Sequence, residues 1–221
     1  MSATLPLPSA LSRPAEALRG RIGRSPGSGF PAAPHRYRLH LADGCPDSAT
    51  VAVVHRLLGL AAVLPVAPLP PAPGDGRGHP ALHGLYEATR HRHPGPFSAP
   101  VLSDDWTGRI VSNHTPDIVR DLVLRFRPPV APDLRPARLG PDIDAFEELL
   151  DLRPDEALAV AEARLAARTH LFGSDLTTAD IRLWAHCAAG DGAGTGESAA
   201  PGPHVGAHLR NLEEHPAFQV Q

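Results

Sequence analysis

Cys45 is the residue best placed in this sequence to do chemistry. It precedes Pro46 and lies between a strand pattern and an apolar helical run. A thiol at a helix N-terminus faces free backbone N–H groups and the positive end of the helix dipole, and both favour the thiolate. A thiolate attacks disulfides and thioethers. The same residue also reads as a small buried hydrophobe, and the residues alone leave both readings open. Asp47 stands in the same first turn. A carboxylate there competes for the same N–H groups and repels a thiolate.

Three other groupings bear on chemistry. Ala99-Pro100 opens a strand pattern. Most X-Pro bonds are trans, so the residues alone favour a trans proline opening an edge strand. Thr177-Thr178-Ala179-Asp180 is a carboxylate form of the capping box, with Leu176 and Ile181 spaced for the hydrophobic staple. It is a folding device and receives no catalytic role. His91 with His93, and His204 with His208, are pairs in a chain with 13 histidines. Neither pair has a third ligand in register, so no metal is expected. Cys187 and Trp184 read as core, and Trp106 as a turn residue.

The elements that position these groups follow from periodicity. Residues 35–41 alternate as a strand, and 50–60 carry Val53, Val54, Leu57 and Leu58 on one helical face. Gly59 can end that helix. A short strand covers 63–69. Residues 70–98 read as a long Pro/Gly/His loop. Residues 99–104 and 109–113 form a hairpin around Asp105-Trp106-Thr107-Gly108. Thr115 as N-cap, Pro116 at N1 and Asp117 in the first turn then start a helix with Ile118, Leu122 and Phe126 on its buried face. Five prolines in 127–141 mark a linker, and helices follow at 142–150, 154–168, 177–189 and 204–214. The pattern β-α-β-loop-β-β-α matches a thioredoxin-like domain. The expected organisation is a flexible extension over 1–34, with at most a short helix near 14–22. A thioredoxin-like thiol-binding domain over 35–127, a linker over 128–141 and a helical domain over 142–221 complete it. The Gly/Ala/Ser-rich stretch 190–203 reads as mobile.

Composition narrows the function classes. Net charge is −3, and no nucleic-acid motif is present, so a generally basic nucleic-acid or anionic-membrane binder is excluded. No apolar run approaches a membrane span of roughly 18–20 residues, and the first residues lack a secretory pattern. Two cysteines, far apart, make no disulfide framework. A cytoplasmic, reduced protein is expected. All 21 basic side chains are arginine, which excludes Schiff-base and P-loop lysine chemistry.

In this order the motifs resemble a glutathione S-transferase. More narrowly, they resemble the glutathionyl-hydroquinone reductases, or Xi class. HRYRLHLADGCPDSATVAVVHRLLGL (35–60) follows that family's strand, Cys-Pro and helix. APVLSDDWTGRIVSNHTPDIVRDL (99–122) is similar to its V-P-V-L-W-D…I-V-x-N-E-S-x-D-I-I-R stretch, and HLFGSDLTTADIRLW (170–184) to its Y-L-F-G-x-x-L-T-E-A-D-x-R-L-F stretch. The resemblance implies a thioredoxin-like domain followed by a helical domain, often assembled as a homodimer. It implies Cys45 as the nucleophile that takes glutathione from a glutathionyl-hydroquinone as a mixed disulfide, which a second glutathione resolves. Pro100 matches the family's cis proline, and Ala99 the residue that offers its backbone to glutathione. Asp47 replaces the family's Trp after Cys-Pro, and His114-Thr115 replace its Glu-Ser pair. These six positions, Cys45, Asp47, Ala99, Pro100, His114 and Thr115, are the expected thiol site. The cosubstrate is glutathione or another low-molecular-weight thiol, and the partner an aromatic or quinone conjugate. The alternative is a catalytically impaired protein of this fold that binds a ligand or partner.

Overall fold

The computed structural model describes residues 17–23, 29–190 and 201–219. Strand β1 (Tyr37–Ala42) leads into α1 (Pro46–Leu57) and β2 (Val66–Leu69), which pairs parallel with β1. Helix α2 (His83–Thr89), the hairpin β3 (Val101–Asp104) and β4 (Arg109–Ser112), and α3 (Thr115–Asp121) follow. The sheet order is β2-β1-β3-β4, with β3 antiparallel to both β1 and β4. The helical part comprises α4 (Gly140–Leu152), α5 (Pro154–Leu165), α6 (Thr178–Gly190) and α7 (Pro203–Glu213). This is the expected thioredoxin-like unit followed by a helical glutathione-transferase-type unit.

The alternation in β1 sends Tyr37, Leu39 and Leu41 to one face, where Val51, Val54, Ile118 and Leu122 meet them. The same core continues into Ile181 and Trp184 of α6, so α1 lies between the sheet and the helical part. The other sheet face packs Val101 and Ile110 on Leu82 and Tyr86. A third cluster joins α4, α5, α6 and α7.

The structure corrects several expectations. Helix α1 starts at Pro46 with Cys45 as its N-cap, as the strand-to-helix reading of Cys45-Pro46 expects, and so extends N-terminal of the apolar run at 50–60. Its entry turn needs Gly44 at φ +70°, where a side chain would be strained. Residues 70–98 contain α2, which is only seven residues long; its Tyr86, like Leu82 just before it, is fully buried. A helix that short leaves too little periodicity to stand out among Pro and Gly. Helix α3 begins at Thr115 with His114 as its N-cap, one residue earlier than expected. The expected linker is not free chain: Leu134 is fully buried, and its carbonyl accepts from Thr178 N at 2.9 Å.

The first segment departs most from expectation. Residues 17–23 form no helix and are tied down, whereas 14–16 lie outside the described residues. Arg19 pairs with Ser112 across the open edge of β4, and Asn113 N donates to Leu18 O at 3.0 Å. Covering that edge removes a row of unpaired backbone groups. Ile22 is buried, and Arg19 and Arg21 pair with Asp117 and Asp121 of α3 at 2.7 and 2.6 Å. Most of the stretch expected to be mobile, 191–200, lies outside the described residues.

Candidate active site

The Cys45 thiol stands where β1 ends and α1 begins. Ser48 locks this corner: its Oγ accepts from Ala42 N at 3.0 Å, while Asp43 N donates to Leu69 O at 3.0 Å. Cys45 is half-buried and free. Its Sγ donates to Ala99 O at 3.7 Å. The Ala99–Pro100 bond is cis, and β3 is an inner strand. The reading from residues alone, a trans proline on an edge strand, is therefore overturned, and the form implied by the resemblance is present.

A relay of partly buried hydrogen bonds holds this loop. Tyr86 Oη donates to Ser98 O at 2.8 Å, one residue before Ala99, and accepts from Asn113 Nδ2 at 2.9 Å. Asn113 Oδ1 in turn accepts from Leu18 N at 2.7 Å. The first segment thus supports the Ala99 carbonyl through Asn113, Tyr86 and Ser98. Sequence reasoning missed Tyr86 and Leu18. The available signal was Tyr86 itself, a large aromatic four residues after Leu82 inside an otherwise Pro/Gly-rich stretch.

The thiol opens on a cleft of about 250 Å³ between α1 and α6, lined by Gly44, Cys45, Ala49, Trp184, Ala185 and Ala188. Trp184 is core as expected, but it also forms one wall of this cleft. A half-buried thiol, a backbone acceptor and a largely apolar wall can seat an extended thiol compound and an aromatic group beside it.

Asp47 does not compete for the α1 N–H groups as expected. Its Oδ1 pairs with Arg182 Nη1 of α6, while Arg182 Nη2 reaches Asp151 Oδ1 of α4 at 2.5 Å. Burial pulls the Arg182 pKa down, but Asp47 and Asp151 outweigh it and hold the guanidinium above its ordinary value. The Asp47 charge is thus balanced across the boundary between the two units.

His114 and Thr115 sit at the start of α3. His114 Nδ1 lies 3.1 Å from Asp117 Oδ2, and Asp117 also accepts from Arg19 Nε at 2.7 Å. Burial pushes the Asp117 carboxyl up, but Arg19, His114 and Arg21 together hold it below the usual range. Thr115 is buried. His114 lines a second cleft of about 490 Å³ together with Arg19, Asp117, Arg120, Asp144 and Asp151. The structure therefore joins Cys45, Ala99 and Pro100 in one place. It sets Asp47 in an ion-pair network, and His114 in a separate cleft at the α3 end.

This arrangement can be set beside known proteins. No family model matches the chain. It is 28% identical over 198 residues to the glutathionyl-hydroquinone reductase PcpF of Sphingobium chlorophenolicum, covering 71% of this chain and 63% of that protein. The chain thus spans less than two thirds of that relative's length. A glutathione transferase from Gordonia bronchialis superposes with a TM-score of 0.78 at 26% identity, over 92% of this chain and 78% of that one. The Xi glutathione S-transferase of Phanerochaete chrysosporium superposes with a TM-score of 0.79 at 23% identity, over 94% and 87%. The chain has the glutathione S-transferase fold and is similar to members of that superfamily. The similar proteins include glutathionyl-hydroquinone reductases and Xi-class transferases.

Proposed function

We propose that the protein is a cysteine-dependent thiol transferase or reductase. It acts on conjugates of glutathione, or of another low-molecular-weight thiol, such as glutathionyl-hydroquinones. The observation that carries this reading is the placement of Cys45 Sγ at the α1 N-terminus. There it stands 3.7 Å from the Ala99 carbonyl beside cis Pro100 and opens on the cleft walled by Trp184. The name of the similar reductase from Sphingobium supports the substrate class.

In the proposed reaction the Cys45 thiolate attacks the thioether sulfur of the conjugate. A sulfur–sulfur bond forms and the carbon–sulfur bond breaks. The electron pair leaves on the ring carbon, which takes a proton and departs as the hydroquinone. A second thiol, as its thiolate, attacks the mixed disulfide and releases the disulfide and Cys45. The ring carbon is reduced and the two thiols are oxidised, so no further oxidant or reductant is needed. Ala99 offers its backbone to the cysteinyl part of the thiol, Pro100 sets that backbone, and an extended thiol reaches from there towards Thr115 at the start of α3 and His114 in the neighbouring cleft. His114 cannot give the negative charge that an α-ammonium wants, so a thiol without a γ-glutamyl group is also within the proposal. A cytoplasmic location, which the two distant cysteines favour, and a homodimer, as in the resemblance, complete it.

The test incubates purified protein with a glutathionyl-hydroquinone and excess glutathione. The proposal expects hydroquinone release, a glutathione adduct on Cys45 by mass spectrometry, and loss of both in Cys45→Ser. Turnover unchanged in Cys45→Ser overturns the mechanism. Absence of turnover and adduct with glutathione, and with thiols lacking the γ-glutamyl group, favours the binding-protein reading, which Asp47 and His114 motivate.

A further inference from the structure

Three side chains from three segments converge at the N-terminus of α6. His170 lies in the tight turn before the helix, Asp180 in its first turn, and His208 on α7. His208 Nε2 is 3.1 Å from Asp180 Oδ1, and His170 Nδ1 is 3.8 Å from the same oxygen. One ligand atom from each residue lies within 4.8 Å of the other two. The Asp180 side chain is fully buried, and those of His208 and His170 are 5% and 19% exposed. Both of these imidazole nitrogens are buried and lack a directed hydrogen bond.

We propose that His170, Asp180 and His208 form a binding site for a divalent transition metal of zinc-like chemistry. Two imidazoles and one carboxylate are a donor set that such ions favour. Bonds of about 2.0–2.1 Å in a tetrahedral site put neighbouring ligand atoms about 3.3 Å apart. The observed 3.1 and 3.8 Å separations bracket that value.

The capping role of Asp180 does not account for the two histidines. Asp180 Oδ2 accepts from Thr177 N at 2.9 Å and Thr177 Oγ1 at 2.8 Å, and Oδ1 accepts from Leu171 N at 2.8 Å. That leaves one lone pair of Oδ1, and both imidazoles converge on it. A simple ion pair needs one of them. A metal ion uses both, keeps the Leu171 and Thr177 bonds, and leaves a fourth position for water. The site is buried in the helical part, away from the Cys45 cleft, so its role is to tie the turn at His170, α6 and α7 together.

The histidine spacing in the sequence pointed elsewhere. His204, one turn before His208, is exposed, and its backbone N donates to Glu162 Oε1 at 2.9 Å. The partners of His208 come from 38 and 28 residues away in the chain.

The experiment uses the full chain stripped of metal with a chelator. Zinc is titrated against a chromogenic competitor, and cobalt is added separately to read coordination from its visible absorption. The expected result is one equivalent bound with a tetrahedral cobalt spectrum. His170→Ala and His208→Gln should each weaken binding by about tenfold or more, while His204→Ala and His91→Ala leave it unchanged. His170 is the more exposed ligand, so His170→Ala decides the matter if His208→Gln does not fold. No binding at micromolar zinc, or equal binding by wild type and His170→Ala, overturns the proposal and leaves an ion pair between His208 and Asp180.

Discussion

Replacing Asp180 should unlock the start of α6, and the structure sets the size of the effect. Asp180 accepts from Thr177 N, Thr177 Oγ1 and Leu171 N at 2.8–2.9 Å, all in the buried interior. In Asp180→Ala two buried backbone N–H groups lose their acceptor. Each orphaned donor costs about 1–3 kcal/mol, and loss of a helix cap costs about 1 kcal/mol. Part of this is one shared effect, so the expected total is about 3–5 kcal/mol. Against a domain stability of about 5–15 kcal/mol, that is a large fraction. Asp180→Asn keeps one acceptor oxygen but turns an amide N–H₂ towards either Thr177 or Leu171. It should cost about 2 kcal/mol. Urea unfolding followed by far-ultraviolet circular dichroism, with chelator present to exclude metal, measures both changes as shifts in midpoint at constant slope. A loss below about 1 kcal/mol for Asp180→Ala would refute the reasoning, because it would mean that Leu171 N and Thr177 N find other partners.

The remaining predictions concern protonation, the first segment and the thiol. Burial lowers the His55 pKa below its ordinary 6.5, and the Leu64 carbonyl, 2.8 Å from its ring nitrogen, only partly offsets this. The unfolded chain therefore binds a proton that the folded chain resists, so the His55 contribution is full above pH 6.5 and declines as pH falls below it. His55→Gln should flatten the dependence of the urea midpoint between pH 7.5 and 5.5; an unchanged slope would count against this account. At Gly20, a Cβ would stand 2.4 Å from the Val111 carbonyl oxygen. Gly20→Ala should lift 17–23 off β4 at a cost of about 1–3 kcal/mol, read as faster amide exchange at Asn113; unaltered exchange there would contradict it. Arg182→Met leaves Asp47 uncompensated beside the thiol, and a unit charge in a wet turn is worth about 0.5–1 kcal/mol. Alkylation of Cys45 should slow about two- to fivefold, with stability changed by under about 1 kcal/mol because Asp47 and Asp151 are about half exposed. Equal alkylation rates would show that the Asp47 charge does not reach the sulfur.

Several features were legible because the forces that make them are local. The alternation of Tyr37, Leu39 and Leu41 specifies β1, and Gly59, at φ +64°, closes the end of α1. Thr177 and Asp180 form their cap within one turn, as their spacing requires. Each depends on contacts a few residues apart, so the order of residue types is enough. Helix α2 was hidden because its stability comes from burying Leu82 and Tyr86 against β3 and β4, not from its own periodicity. The cis bond at Pro100 was likewise beyond the residues alone, which favour trans.

The sequence by itself determined the order of the elements apart from α2, the presence of a thiol at a strand-to-helix corner, and the two replacements, Asp47 and His114, that set this chain apart from the family it resembles. Only the tertiary structure decided what those residues face. It set Asp47 against Arg182 from 135 residues away, joined Leu18 to the Ala99 loop through Asn113 and Tyr86, and gathered His170 and His208 on Asp180. The reason is physical. A side chain's charge state and partners depend on distances across the fold, and chain separation carries no record of them until hydrophobic packing has brought the segments together.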